Sequence, residues 1–341
     1  MSTLDEFALI RLLTEGKQSP AFERTHGIST GIGDDAAVAN VTAGYQLVMT
    51  CDTMAETVHF KNITMRSSDI GYKAMAAAVS DIAAMGARPR YALVALSFPA
   101  GTPAERLAQI YEGLYECAHK YDVVVAGGDT TASASGITIT VAVIGEVEAG
   151  KALLRSTAGP GDVLVATGWL GCSAAGLDYL LSRAEAAESW PQQWHAYESL
   201  VRAHCRPEPQ VEAGLLLQQS GACTALNDVS DGLASEAWEI AEASGVGIDL
   251  IEERIPVAHE LLTYAQKADK SPLDYILFGG EDYQLVGTMR AEHAIAMQMK
   301  FKEAGLRLYI IGYVHEQAQG VRLVQIDGNV VPIEKKGYHH F

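Results

Sequence analysis

Acidic residues set beside glycines do most to limit what this chain can become: Gly33-Asp34-Asp35, Gly127-Gly128-Asp129, Asn227-Asp228-Val229-Ser230-Asp231-Gly232 and Gly279-Gly280-Glu281-Asp282. Two more acids, Asp52 and Asp81, fall at the end of an apolar strand and inside an apolar helix. Glycine lets the backbone turn sharply or approach a ligand closely, and a carboxylate beside it offers hard oxygen to a divalent cation. One such element is an ordinary turn. Several of them, each after an apolar run, point to a site assembled from many strand ends around Mg²⁺ and phosphate.

A length of 341 residues suggests two domains with real cores. With 25 Lys+Arg against 42 Asp+Glu, the net charge of −17 leaves no basic stripe for a nucleic acid. An anionic substrate would also be repelled unless bound cations inverted the local field. The five cysteines, 51, 117, 172, 205 and 223, form no Cys-x-x-Cys. They read as free thiols of a reducing compartment rather than a zinc site. Met1 to Arg11 carries Asp5 and Glu6 and lacks an apolar run, so no signal peptide is expected, and no stretch is apolar enough to span a bilayer. The expected location is the cytoplasm.

Periodicity predicts helices over 4–14, 74–85, 104–121, 172–184, 210–219 and 233–244. Ser68 or Asp69 is the expected cap of the second. Strands are expected over 45–49, 123–126, 137–144, 162–166, 224–226, 283–286 and 308–314, with a late hairpin at Asp327-Gly328. The segment from Trp190 to Tyr197 reads as a loop insertion. A domain boundary falls between Gly145 and Gly161, where glycines and Pro160 interrupt both patterns. Pattern alone reaches a mixed α/β or α+β class.

Two familiar nucleotide motifs fail. Gly145-Glu-Val-Glu-Ala-Gly150-Lys151-Ala152 looks like a P-loop, but Ala152 lacks the hydroxyl that holds Mg²⁺, and Glu146 and Glu148 would face the phosphates. Gly31-Ile32-Gly33 runs into Asp34 rather than toward a third glycine, so it is no dinucleotide fingerprint. Asp81 is the sharpest single clue, because a carboxylate in so apolar a helix must be paired, metal-bound or protonated. An ion pair to Lys73 or Arg88 is the plain alternative. Capping could explain one of Asp228, Ser230 and Asp231, but not easily all three. His59, His119 and His204 carry no signal of their own.

Taken in order, Gly31-Ile-Gly-Asp-Asp-Ala-Ala, Thr50-Cys-Asp-Thr, Val58-His59-Phe60, Lys73-Ala…Val79-Ser-Asp81-Ile-Ala-Ala-Met-Gly86, Gly127-Gly-Asp-Thr-Thr131, Asp228-Val-Ser-Asp-Gly-Leu233, Leu277-Phe-Gly-Gly-Glu-Asp-Tyr283 and Lys336-Gly-Tyr-His-His-Phe341 closely resemble the thiamine-monophosphate kinase family. That family sits within the aminoimidazole-ribonucleotide-synthetase-like superfamily, and the resemblance spans essentially the whole chain. It implies an N-terminal sheet-and-helix domain (1–148) that binds metal and ATP and dimerises through its sheet. A C-terminal α/β domain (149–341) would complete an active site in the cleft between the two. The family's magnesium cluster falls on Asp35, Thr50, Cys51, Asp52, Asp81, Asp129, Asp228 and Asp231. ATP contacts fall on Tyr111, Gly128, Asp129, Arg155 and Ser230, and thiamine-phosphate contacts on His59, Glu281 and Tyr338. Cys51 departs from the family's usual Thr or Ser, a change that is harmless if that position ligates through its carbonyl.

The implied activity is ATP-dependent phosphorylation of thiamine monophosphate to thiamine diphosphate, assisted by several Mg²⁺ ions, in a homodimer with no general base. Other members of the superfamily, such as aminoimidazole ribonucleotide or selenophosphate synthetases, use related chemistry. The absence of a catalytic Cys near the N-terminus argues against the latter. A non-catalytic nucleotide-binding scaffold is the reading from a different class.

Overall fold

The computed structural model describes residues 6–33, 36–184, 197–316 and 320–336. Its N-terminal part runs α1 (Glu6–Thr14), α2 (Pro20–Thr25), β1 (Ile28–Thr30), β2 (Val38–Ala39), β3 (Tyr45–Ala55), α3 (Ser67–Ala84), β4 (Arg88–Pro99), α4 (Ala104–Lys120), β5 (Val124–Ser133) and β6 (Thr138–Glu148). The chain continues through β7 (Asp162–Thr167), α5 (Cys172–Ala184), α6 (Glu198–Cys205), α7 (Val211–Ser220), β8 (Cys223–Asp228), α8 (Leu233–Ser244) and β9 (Gly247–Ile251). It finishes with α9 (His259–Ala268), α10 (Pro272–Phe278), β10 (Leu285–Arg290), α11 (Ala291–Glu303), β11 (Leu308–His315), β12 (Gly320–Val324) and β13 (Val330–Pro332).

Two sheets organise these elements into two α/β domains. The first is four-stranded, in the order β3-β6-β4-β5, and the second seven-stranded, in the order β13-β12-β9-β11-β7-β10-β8. The crossover through α4 makes β4 and β5 parallel, whereas β6 is antiparallel to both β3 and β4. Strand β8, which ends on Asp228, forms an edge of the larger sheet.

Helix α3 ties the halves together. It is buried along nearly its whole length, as a helix apolar on all sides must be. On one side it meets β3, β6 and α4, and on another α7 and β8. Its crossing with α4 depends on two glycines. A Cβ on Gly71 would lie 1.7 Å from the Ile110 carbonyl oxygen, and one on Gly113 would lie 1.7 Å from that of Ser68. Alanine at either position would force the helices apart.

The predicted helices and strands occur, with instructive differences at their ends. β3 extends to Ala55, so Thr50, Cys51 and Asp52 lie within the strand rather than at its end. α3 starts at Ser67 with Arg66 at its N-cap and no side-chain cap bond, so neither Ser68 nor Asp69 caps it. Gly127-Gly128-Asp129 is part of β5 and not a turn. The strand expected from Tyr283 begins at Leu285, because Glu281 (φ 66°) and Tyr283 (φ 50°) have left-handed backbone that no strand accommodates. β4, with Pro89 as its second residue, was not among the expected strands. The ladder tolerates that proline at a register irregularity near the strand's start. The expected insertion at 190–197 lies almost wholly outside the described residues. Among the described residues no helix is long and apolar enough to cross a membrane.

Candidate functional site

Side chains alternate along β3, so Thr50, Asp52 and the buried Met54 face α3, while Met49, Cys51 and Thr53 are exposed on the other face. Across that boundary the Thr50 hydroxyl donates a short hydrogen bond to Asp81 Oδ2 on α3. One residue earlier on α3, the Ser80 hydroxyl donates to Asp228 Oδ2 at 2.7 Å, reaching into the C-terminal domain. Asp52, Asp81 and Asp228 thereby converge from β3, α3 and the end of β8.

Their electrostatics show how uncomfortable this is without a cation. Burial, and then the charge of Asp81, push Asp52 up to about 7. Burial and then Asp81 likewise push Asp228 to about 7, against the opposing pull of Ser80 and Arg155. Burial raises Asp81 as well, with Thr50 and Arg155 working in the other direction. Among the described residues no three acidic, histidine or cysteine side chains are gathered closely enough to enclose an ion as they stand. The donor set nevertheless suits a hard divalent cation: carboxylate and hydroxyl oxygens, with mutual repulsion that bound positive charge would relieve. Asp35, also expected here, lies outside the described residues.

Arg155 borders the cluster. Its Nε donates to Asn227 Oδ1 at 2.9 Å and its guanidinium pairs with Glu239 at 3.0 Å. Asn227 in turn donates to Glu236 at 2.6 Å, and Glu236 accepts the Asp231 backbone N–H at 2.9 Å. Burial, and then Glu239, push Glu236 up to about 9, while the Asp231 N–H bond works in the other direction. This chain orders the turn that carries Ser230 and Asp231.

The 279–284 loop closes over the same turn. Glu281 N–H donates to the Ser230 carbonyl at 2.7 Å, and Tyr283 N–H to that of Val229 at 2.9 Å. A Cβ on Gly280 would sit 2.1 Å from the Ser230 oxygen, so only glycine permits this approach. The two neighbouring acids then part company. Asp282 turns inward and accepts backbone N–H bonds from Gly171 (2.5 Å) and Ser173 (3.0 Å) where α5 begins, a structural role. Glu281 stays partly exposed and pairs with the fully buried Lys73 at 2.7 Å. Burial would raise its carboxyl, but Lys73 above all holds it below the usual range. His59, whose Nδ1 accepts the Ala55 N–H at 3.0 Å, is a neighbour of Glu281. Tyr283 lies between the two groups: burial, then Glu281, Asp52, Asp228 and Asp81, drive its phenol far above the ordinary range.

Lys73 therefore does not neutralise Asp81; its partner is Glu281. Lys73, His204, Asn227, Glu236 and Tyr283 were not singled out as site residues. Asn227 and Tyr283 had a sequence signal as members of the Asn-Asp-Val-Ser-Asp-Gly and Phe-Gly-Gly-Glu-Asp-Tyr motifs, and Lys73 as the start of the segment that leads to Asp81, whereas His204 and Glu236 had none. Tyr338 lies outside the described residues.

Tyr111, Gly128 and Asp129 form a separate feature. With Ile10, Leu13 and Ile32 among others, they line a cavity of about 100 Å³ against β5. Asp129, Ala95, Thr140 and Thr53 lie in one row across the four-stranded sheet. At ~4.8 Å per strand, that row places Asp129 about 14 Å from the β3 backbone. One chain therefore does not bring Asp129 to Asp52 and Asp81.

Residues 33–147 match the family model for the AIR synthase related protein N-terminal domain, and residues 159–325 match that for the C-terminal domain. The thiamine-monophosphate kinase of Bacillus subtilis (strain 168) is 40% identical over 338 residues, covering 99% of this chain and 100% of that protein. The chain belongs to the thiamine-monophosphate kinase family. Among solved structures, thiamine-monophosphate kinase from Stenotrophomonas maltophilia K279a is 35% identical with a TM-score of 0.82, over 96% of this chain and 98% of its own. AaThiL complexed with AMPPCP and TMP is 32% identical with a TM-score of 0.76, over 100% of this chain and 99% of its own.

Proposed function

We propose that this chain transfers the terminal phosphoryl group of ATP to thiamine monophosphate, giving thiamine diphosphate and ADP. The observation that carries the reading is the meeting of Asp52, Asp81 and Asp228 from both domains, with Glu281 and His59 beside them. The related AaThiL, solved with an ATP analogue and TMP, supports the same substrates.

The nucleophile is a phosphate oxygen of the substrate, largely ionised at neutral pH because the second pKa of a phosphate monoester is ~6. No general base is needed, and transfer is direct and in line. The difficulty is the repulsion between two polyanions in a chain that is itself acidic. Thr50, Asp52, Asp81, Asp228 and Asp231, together with Asp35 and the Cys51 carbonyl, would hold Mg²⁺. Bound Mg²⁺ supplies neutralisation of phosphate charge and stabilisation of the transferring group. Arg155 and Ser230 contact the nucleotide phosphates. Glu281, His59 and Tyr338 hold the organic half of the substrate, where Glu281 offers a carboxylate to its cationic ring.

The acting form is a cytoplasmic homodimer of chains divided near residue 148. Supporting this, the face of the four-stranded sheet turned away from α3 exposes Met49 (71%), Leu47 (44%) and Leu93 (42%), which a second copy would cover. Packing through that sheet would also bring Asp129 and Tyr111 of the second copy toward the β3 edge, accounting for their distance from Asp52 within one chain. ADP release measured with thiamine, thiamine monophosphate and formylglycinamidine ribonucleotide tests the reading. Turnover with thiamine monophosphate alone is expected; turnover with either other compound, or with none, refutes it.

A further inference from the structure

Lys73 is among the largest fully buried side chains of the described residues, and it is charged. Withdrawing an ammonium from water costs several kcal/mol unless its partners are well placed. Here Nζ lies 2.7 Å from Glu281 Oε2 and 3.5 Å from His204 Nδ1. That same Nδ1 lies 3.2 Å from the Ser173 hydroxyl. Glu281 Oε2 lies 3.5 Å from the same Nδ1, and the buried Nε2 meets no hydrogen-bond partner among the described residues. Burial, and then Lys73, depress the His204 pKa to about 3, which keeps the ring neutral. His204 and Ser173 therefore act as a neutral wall that leaves Glu281 as the one anionic partner of Lys73 among the described residues.

A mere interdomain staple would bury both charges. Glu281 instead keeps about a quarter of its side chain exposed (26%), with Lys73 on its Oε2. Its backbone is held at φ 66° by the bond to Ser230, so the side chain has little freedom to search for another pose. Lys73 also lies eight residues before Asp81 on α3, about 12 Å along the axis. One helix thus presents the phosphate-handling acid at one point and the anchor of Glu281 at another.

We propose that Lys73 is a positioning residue for the cationic, organic half of the substrate: it touches no ligand and acts by clamping Glu281 Oε2 so that Oε1 points at the ligand. This rests on the thiamine-monophosphate kinase reading. The test is a steady-state double-mutant cycle on wild type, Lys73→Met, Glu281→Gln and the double variant, with thermal melts of each. Loss of one charge-assisted contact predicts a rise in KM for thiamine monophosphate of roughly tenfold in Lys73→Met. KM for ATP should stay within about twofold, and Lys73→Met should add nothing in the Glu281→Gln background. Should Lys73→Met fail to fold, Lys73→Gln, which keeps N–H donors, carries the same comparison.

An unchanged KM for thiamine monophosphate, an equal rise in both backgrounds, or a joint rise for both substrates with a falling Tm overturns the proposal. So does failure of both Lys73 variants to fold, which would make the residue structural. A wild type that releases no ADP with thiamine monophosphate removes the underlying reading as well. An active wild type with an inert Lys73 removes this inference alone.

Discussion

Asp81→Asn should separate activity from stability, and in opposite directions. Asn keeps an acceptor for the Thr50 hydroxyl and nearly the same volume, but removes the charge that ranks just behind burial in raising both Asp52 and Asp228. An acid whose pKa is higher folded than unfolded keeps its proton longer in the folded state. The metal-free protein therefore loses stability as pH rises from the unfolded value to the folded one, and loses no more above it. For Asp228, moved from 3.8 to about 7, the full penalty above neutrality is about 4 kcal/mol. Burial is the larger cause, so removing Asp81 should relieve only the smaller part of the shift at Asp228 and at Asp52, on the order of 3 kcal/mol together.

That gain corresponds to a Tm increase on the order of 5 °C at pH 8. Little gain is expected at pH 5, where the wild-type carboxyls are largely protonated. Differential scanning calorimetry in EDTA at pH 5, 6.5 and 8 measures it. Added Mg²⁺ should raise the wild-type Tm at pH 8 and raise the variant's much less, while turnover of the variant falls at least ~100-fold. A variant that is less stable than wild type at pH 8, or whose gain does not depend on pH, would show that these three carboxylates do not repel one another as described.

Cys51→Ser should keep kcat and both KM values within about threefold, since the Cys51 side chain lies on the sheet face opposite Thr50 and Asp52 and only its carbonyl can serve the site; a large loss in steady-state kinetics would place the thiol in the chemistry. Met49→Glu should convert a dimer to a monomer in light scattering, and an unchanged mass would show that the exposed sheet face is not the interface. Gly280→Ala forces a Cβ to within 2.1 Å of the Ser230 oxygen, so it should lower Tm and cut kcat/KM by well over ~10-fold; normal kinetics would mean that the 279–284 loop does not order the Ser230 turn.

Local order was legible in the sequence. Helical and strand periodicity located α3, α4, α8 and most strands of both sheets, because each side chain's environment there repeats with the backbone's own geometry. The apolar surroundings of Asp81 marked it as a residue needing compensation, and the glycine-flanked turns marked where a ligand could be approached closely. Family resemblance then added the substrate. What the sequence could not reveal is which charges meet. Glu281 and Asp282 are adjacent and chemically alike, yet one opens toward the site and the other caps α5, because the left-handed backbone at 281 and 283 sends successive side chains in unrelated directions. Lys73 was a plausible partner for Asp81 on its own helix and instead reaches Glu281, more than 200 residues away in the chain. Asp129 belongs to the same expected ligand set as Asp52 but lies three strands distant, since strand order is decided by which apolar faces pack and not by which acids match. Pairings of this kind depend on contacts between segments far apart in the chain, and only the packed α3, with a domain on either side of it, brings them about.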